Sequence, residues 1–253
     1  MEASIEPTTN AILLVADISG WTKFVRRHAV SATHARQIVV HLLRAIIDAT
    51  EPPLTVAELE GDAVFLYALS EPGELGRVAA KVKAQIPRLF RAFAAEMKLL
   101  STRPRCSCES CSGVERLRLK QVVHAGEVAL ERIGKFEKLF GLDVIIVHRM
   151  LKNSVEAKQY LMISEPAYDA MDGFYGLEPE KRVEKLKGVG RLPTRVFDED
   201  QIAEVLELVK SEEGSLPEPT LGQIIKWRLK LIARSLIARA SGNVFRNSKD
   251  GSL

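Results

Sequence analysis

Cysteine is scarce in this chain: three residues in 253, all within Cys106-Ser-Cys108-Glu-Ser-Cys111. Nothing elsewhere could pair with them, so no disulfide framework spans the chain. Long apolar runs are missing too. No stretch approaches the roughly 20 uncharged apolar residues that cross a bilayer. The apolar run after the polar residues 1–10 is too short for a signal peptide, so a cytoplasmic protein is expected. Internal repeats and low-complexity tracts are absent. A basic body is absent as well. The net charge is +3, and residues 219–253 hold seven basic residues and one acidic one, which leaves the rest of the chain at −3. A mildly acidic body excludes a nucleic-acid-binding surface there and assigns any polyanion contact to the tail.

What is present begins with Ile12-Leu-Leu-Val-Ala-Asp17-Ile-Ser-Gly20. An apolar run of this length reads as a strand buried on both faces, with a carboxylate held at its tip. Helix capping is the plain alternative for Asp17. A second aspartate, in Glu60-Gly61-Asp62, lies between two further strand-like runs, 54–59 and 63–69. Two aspartates at the ends of neighbouring strands suit a pair of divalent cations.

The cysteine cluster suggests ligation of a structural zinc ion by Cys106, Cys108 and Cys111. Zinc takes four ligands, so His124, His148 or a partner subunit would have to supply the last. A surface loop with reduced thiols is the competing reading.

Along the chain, the pattern predicts helices over 20–27, 32–50, 74–100 with a break or kink at Pro87, 143–153, 165–171 and 201–210. Strands are expected over 54–59 and 63–69, then 117–124 and 126–133. A turn is expected at 135–138, a strand over 160–163, and two last strands around Leu186-Lys187-Gly188. Strands interleaved with helices over about 200 residues give an α+β fold with helices packed on a sheet. The expected division is a domain over 1–200, followed over 201–253 by a linker and a basic amphipathic helix. In that helix Leu221, Ile225, Leu229, Ile232 and Leu236 form one stripe, with Lys226, Lys230 and Arg234 opposite. Its partner is an anionic membrane surface, on the cytoplasmic face of an inner membrane, or an acidic protein groove; packing on the domain or on a dimer mate is the alternative.

Several motifs, in order, carry a resemblance: Val15-Ala-Asp17-Ile-Ser-Gly20-Trp-Thr22, Glu60-Gly61-Asp62-Ala63-Val64, Val123-His124-Ala-Gly126-Glu-Val128, Leu139-Phe140-Gly141-Leu-Asp-Val144 with Arg149, and Leu186-Lys187-Gly188. Over residues 11–197 the chain resembles the catalytic domain of class III adenylate and guanylate cyclases, in a bacterial branch with the cysteine cluster. The resemblance implies a ferredoxin-like, cyclase-type sheet and a homodimer. It also implies cyclisation of a nucleoside triphosphate, GTP or ATP, to a 3′,5′-cyclic nucleotide and pyrophosphate. Asp17 and Asp62 would hold two Mg²⁺ or Mn²⁺ ions, and Arg149, from the subunit opposite, would grip the triphosphate. The base-selecting positions fall on Glu58 and Lys138, with the charges exchanged relative to adenylate cyclases. Guanine suits that pair, because a carboxylate accepts from its N1–H and amine while an ammonium donates to O6; adenine also fits, with Glu58 on its amine and Lys138 on N1. The asparagine that positions the ribose in the family is replaced by Ile145, an expected loss on the order of 10²–10³ in rate; Asn153, one turn beyond Arg149, is a candidate substitute. The alternative is an inactive pseudo-cyclase, a dimerising signalling module that binds metal or nucleotide.

Overall fold

The computed structural model describes residues 8–27, 32–102 and 113–213. The cysteine cluster and the expected tail helix lie outside these described residues. The chain divides into two compact units, Met1–Leu208 and Val209–Leu253.

Strand β1, Thr9–Ser19, is central, and its apolar run follows from its position. It pairs along one side with β3 (Ala63–Ser70) and along the other with β4 (Arg118–Ile133). Residues 11–16 are fully buried. Alternation sends Ala11, Leu13 and Val15 to one face, where they join Phe65, Val122, Ile146, Val147 and Met150 in a single cluster. Ile12, Leu14 and Ala16 point to the opposite face. That face is covered by helices α2 (Ala32–Asp48) and α3 (Leu75–Ser101), which follow the short α1 (Trp21–Arg27) in the chain.

Strand β2 (Thr55–Glu60) forms a hairpin with β3, and Gly61 makes the turn at φ +65°, a conformation that favours glycine. The order β2-β3-β1-β4 with all neighbours antiparallel, and with helices crossing between β1 and β2 and between β3 and β4, is the split βαβ arrangement of ferredoxin-like folds. The sheet continues through β6 (Tyr160–Ser164), parallel to β4, then β8 (Gly190–Phe197) and β7 (Glu180–Leu186). Helices α4 (Leu142–Met150), α5 (Glu165–Ala170) and α6 (Glu199–Glu213) follow. The α+β expectation holds.

Three local expectations are corrected. Helix α3 continues unbroken through Pro87, because Val82, Ile86, Leu89, Phe90 and Phe93 bury one continuous face. Each such side chain gains about 1.5–3 kcal/mol on burial, which together outweighs the roughly 3 kcal/mol cost of an interior proline. The two strands expected over 117–133 are one long strand, Arg118–Ile133. The expected turn at 135–138 is instead mostly β5 (Phe136–Phe140), which folds back on Ala129–Ile133 through a turn at Gly134.

Candidate functional site

Strand register assembles the first part of the site. Asp17, at the end of β1, lies opposite Ala63 on one side and Lys120 on the other. The turn carrying Asp62 is tied to β1 by the Ile18 N–H, which donates to the Asp62 carbonyl at 3.2 Å. The two sequence-predicted aspartates are thus brought to one corner. Burial and then the Asp17 charge push the Asp62 carboxyl up to about 6. Lys120, which sequence reasoning passed over, completes the corner. Its Nζ donates to Asp17 Oδ2 at 2.9 Å, and the two side chains are only 19% and 16% exposed. Burial works against the Lys120 ammonium, yet the bond to Asp17 and the charges of both aspartates hold it above its ordinary value. Two apposed, mutually repelling carboxylates are hard oxygen donors of the kind Mg²⁺ and Mn²⁺ take. Among the described residues no group of three or more His, Cys, Asp or Glu gathers.

The second part is a cleft of about 480 Å³ on the same face, between the β2–β3 hairpin, the β4–β5 hairpin and α4. Glu58 and Lys138 reach across it from opposite hairpins and form an ion pair, each 43% exposed. Beside them His148 meets Glu60, Nδ1 to Oε2 at 3.2 Å, and packs edge-on to Phe65.

Helix α4 supplies the third part, and its first turn is clamped to the sheet. Asp143 accepts from the Glu127 N–H through Oδ2 and bonds His124 Nε2 through Oδ1, both at 2.8 Å. His124 Nδ1 in turn meets Ser164 Oγ at 2.8 Å. A Cβ at Gly126 would overlap the Asp143 carboxylate, so glycine is what lets this helix approach. Burial depresses the His124 pKa. With both ring nitrogens engaged, His124 has no lone pair to complete a zinc site. The order Ser–His–Asp invites a hydrolase reading, but Ser164 is completely buried and no substrate reaches it.

Arg149, near the end of α4, packs over the β7–β8 turn, where a Cβ at Gly188 would come within 2.9 Å of its Nη1. That buried Nη1 has no hydrogen-bond partner. Ile145, one turn earlier, is 47% exposed, and Leu142 on the same helix and Phe140, Phe136 and Ile133 on the β4–β5 hairpin are exposed as well. Asn153 is committed elsewhere. Its Nδ2 donates to the Met150 carbonyl and to Tyr160 Oη, and its Oδ1 accepts from the Val155 N–H. Both amide hydrogens thus close the loop after α4.

A family model described as "Protein of unknown function (DUF2652)" matches residues 39–160. An uncharacterized protein of Mycobacterium tuberculosis, Rv2561/Rv2562, is 32% identical over 160 residues, which cover 63% of this chain and 73% of that protein. Among solved structures, the adenylyl cyclase CyaB from P. aeruginosa superposes with a TM-score of 0.58 at 14% identity, covering 76% of this chain and 95% of that one. The guanylyl cyclase Cya2 gives 0.58 at 16% identity, covering 76% and 94%. Those likenesses show the fold. The chain therefore belongs to the same family as the mycobacterial protein, and it has the catalytic-domain fold of class III nucleotide cyclases.

Proposed function

We propose that this chain binds a nucleoside triphosphate and cyclises it to the 3′,5′-cyclic nucleotide, releasing pyrophosphate, at a site shared by two copies. The observation that carries the reading is Arg149: a buried guanidinium nitrogen, Nη1, with no hydrogen-bond partner among the described residues, on a helix clamped to the sheet. A planar guanidinium with a donor to spare suits phosphate oxygens. Asp17 and Asp62 would hold Mg²⁺ or Mn²⁺, which when bound would acidify the ribose 3′-hydroxyl and neutralise phosphate charge. The cleft would take the base. There Glu58 accepts from guanine N1–H and its amine while Lys138 donates to O6, and GTP binds at least as well as ATP. The exposed apolar residues of α4 and the β4–β5 hairpin, Ile145 and Phe140 among them, would be covered by the second copy in a homodimer.

A second reading has its own support. Glu58 and Lys138 pair with each other across the cleft, and Ile145 offers no polar group to a ribose. These favour a pseudo-cyclase that binds nucleotide without turnover. An exposed ion pair is worth only about 0–1 kcal/mol, so a matched base can displace it. Incubating the purified chain with GTP or ATP and Mn²⁺ and assaying for cyclic product tests both readings. Product sustains the enzyme, and binding without product leaves the pseudo-cyclase. Failure to bind either nucleotide would sink both.

A further inference from the structure

We propose that Lys120 is a built-in counter-ion that keeps free divalent metal off Asp17, so that metal binds tightly only together with the nucleoside triphosphate. The inference rests on the reading of Asp17 and Asp62 as metal ligands and says how that site is regulated.

Lys120 is not at Asp17 through a chance reach of a flexible side chain. The two residues are directly opposed in the β1–β4 ladder, in the interior of the sheet. The bond is 2.9 Å and both side chains are largely out of water. On the same face of the sheet, Val122, two residues on along β4, and Tyr160, opposite Lys120 on β6, are buried in the apolar cluster, so an apolar residue would fill the position without the cost of desolvating an ammonium. The charge therefore has a role that packing does not explain.

Its electrostatic effect is direct. An ammonium bonded to Asp17 occupies an acceptor a metal needs, and it repels the incoming cation. With both aspartates ionised, the corner presents two negative charges against one positive, a net pull of a single charge on a divalent ion. Two carboxylates also fall short of the six oxygens Mg²⁺ takes, and among the described residues no third ligand gathers there. A triphosphate changes both terms. Its oxygens complete the coordination shell, and they offer the three-donor ammonium other acceptors, which releases Asp17. Metal and nucleotide then help each other. By linkage, each tightens the other by the same factor, typically about 5- to 150-fold.

The test is a Mn²⁺ titration of the full chain, read by electron paramagnetic resonance, with and without 3′-deoxy-GTP, which cannot cyclise. Wild type should bind Mn²⁺ weakly alone and about 5- to 150-fold more tightly with the analogue. Lys120→Met should bind Mn²⁺ alone about tenfold more tightly than wild type, the scale of one neighbouring charge in a partly screened site, and should show a smaller effect of the analogue. Lys120→Arg should behave like wild type, and Lys120→Gln replaces the Met variant if thermal melting shows that it does not fold. Equal Mn²⁺ affinity of wild type and both neutral variants, with unchanged linkage, overturns the role of Lys120 while the metal site stands. No Mn²⁺ bound by any form, with or without the analogue, overturns the metal site and this inference with it.

Discussion

The carboxylate corner and the base cleft share one face of the sheet and are held together in opposite ways. At the corner, Asp17 and Lys120 stand on adjacent central strands, and the Asp62 turn is tied down by a backbone bond. Their positions are set by register and largely shielded from water. In the cleft, Glu58 and Lys138 stand on two hairpins and are nearly half exposed. Position at the corner is a property of the fold, whereas position in the cleft is a property of two side chains. Charge changes at the corner should accordingly act on binding as a whole, and changes in the cleft on the choice of ligand.

The largest test of that contrast is Asp17→Asn. It should weaken Mn²⁺-dependent GTP binding by about 10²-fold or more, as expected where a metal contributes several kcal/mol, with an unchanged circular dichroism spectrum. Binding within a few-fold of wild type would remove the corner from the site. Next is Gly126→Ala, which strikes the clamp behind both regions. The added methyl displaces Asp143 from His124 and from the Glu127 amide, and unsatisfied buried groups should cost about 1–3 kcal/mol in a denaturant melt. A smaller effect falls in the cleft. Glu58→Lys sets a second ammonium against Lys138 and should cut GTP affinity about tenfold relative to ATP, one pKa unit's worth of interaction. Mn²⁺ affinity without nucleotide should not move. A parallel loss for GTP and ATP would mean that Glu58 does not read the base.

The smallest effect concerns Asp62 and pH. Its folded carboxyl sits near 6, above the ordinary 3.8, so the folded chain binds more protons than the unfolded one between those values. The contribution to stability is then fully present below about 3.8 and is lost as pH rises through about 6. Asp62→Asn should be more stable than wild type above pH 6, by at most about 1 kcal/mol given partial exposure. The two proteins should converge at lower pH. Melting curves at several pH values without added metal would show a constant difference if this is wrong.

Much of the corner was legible in the sequence and little of what controls it. The run from Ile12 to Ala16 reads as a doubly buried strand and Gly61-Asp62 between two apolar segments as a turn, so the placing of both aspartates at strand ends was legible. Lys120 was missed because cross-strand register is a long-range fact: nothing near Lys120 says that it faces Asp17, 103 positions earlier in the chain. The β5 strand was missed because Glu137 and Lys138 interrupt its apolar residues, and it pairs with an end of β4 that extends past β1. Asn153 looked free for chemistry because helical spacing placed it one turn from Arg149. The helix ends at Met150, and the loop beyond it takes the amide.

The clamp on α4 also has a consequence for motion. The helix is fastened at its start by Asp143 to β4 and just past its end by Asn153 to Tyr160 on β6. Sliding it along the sheet would break both fastenings at once, so shear of packed layers is disfavoured in this molecule. Closing over a ligand would be left to hinge bending of the β2–β3 and β4–β5 hairpins, which the Glu58–Lys138 ion pair links across the cleft. Amide hydrogen exchange that is slow through α4 and fast through β5 would be the signature of that division. Equal protection of the two would mean that the hairpins are as stiff as the helix they face.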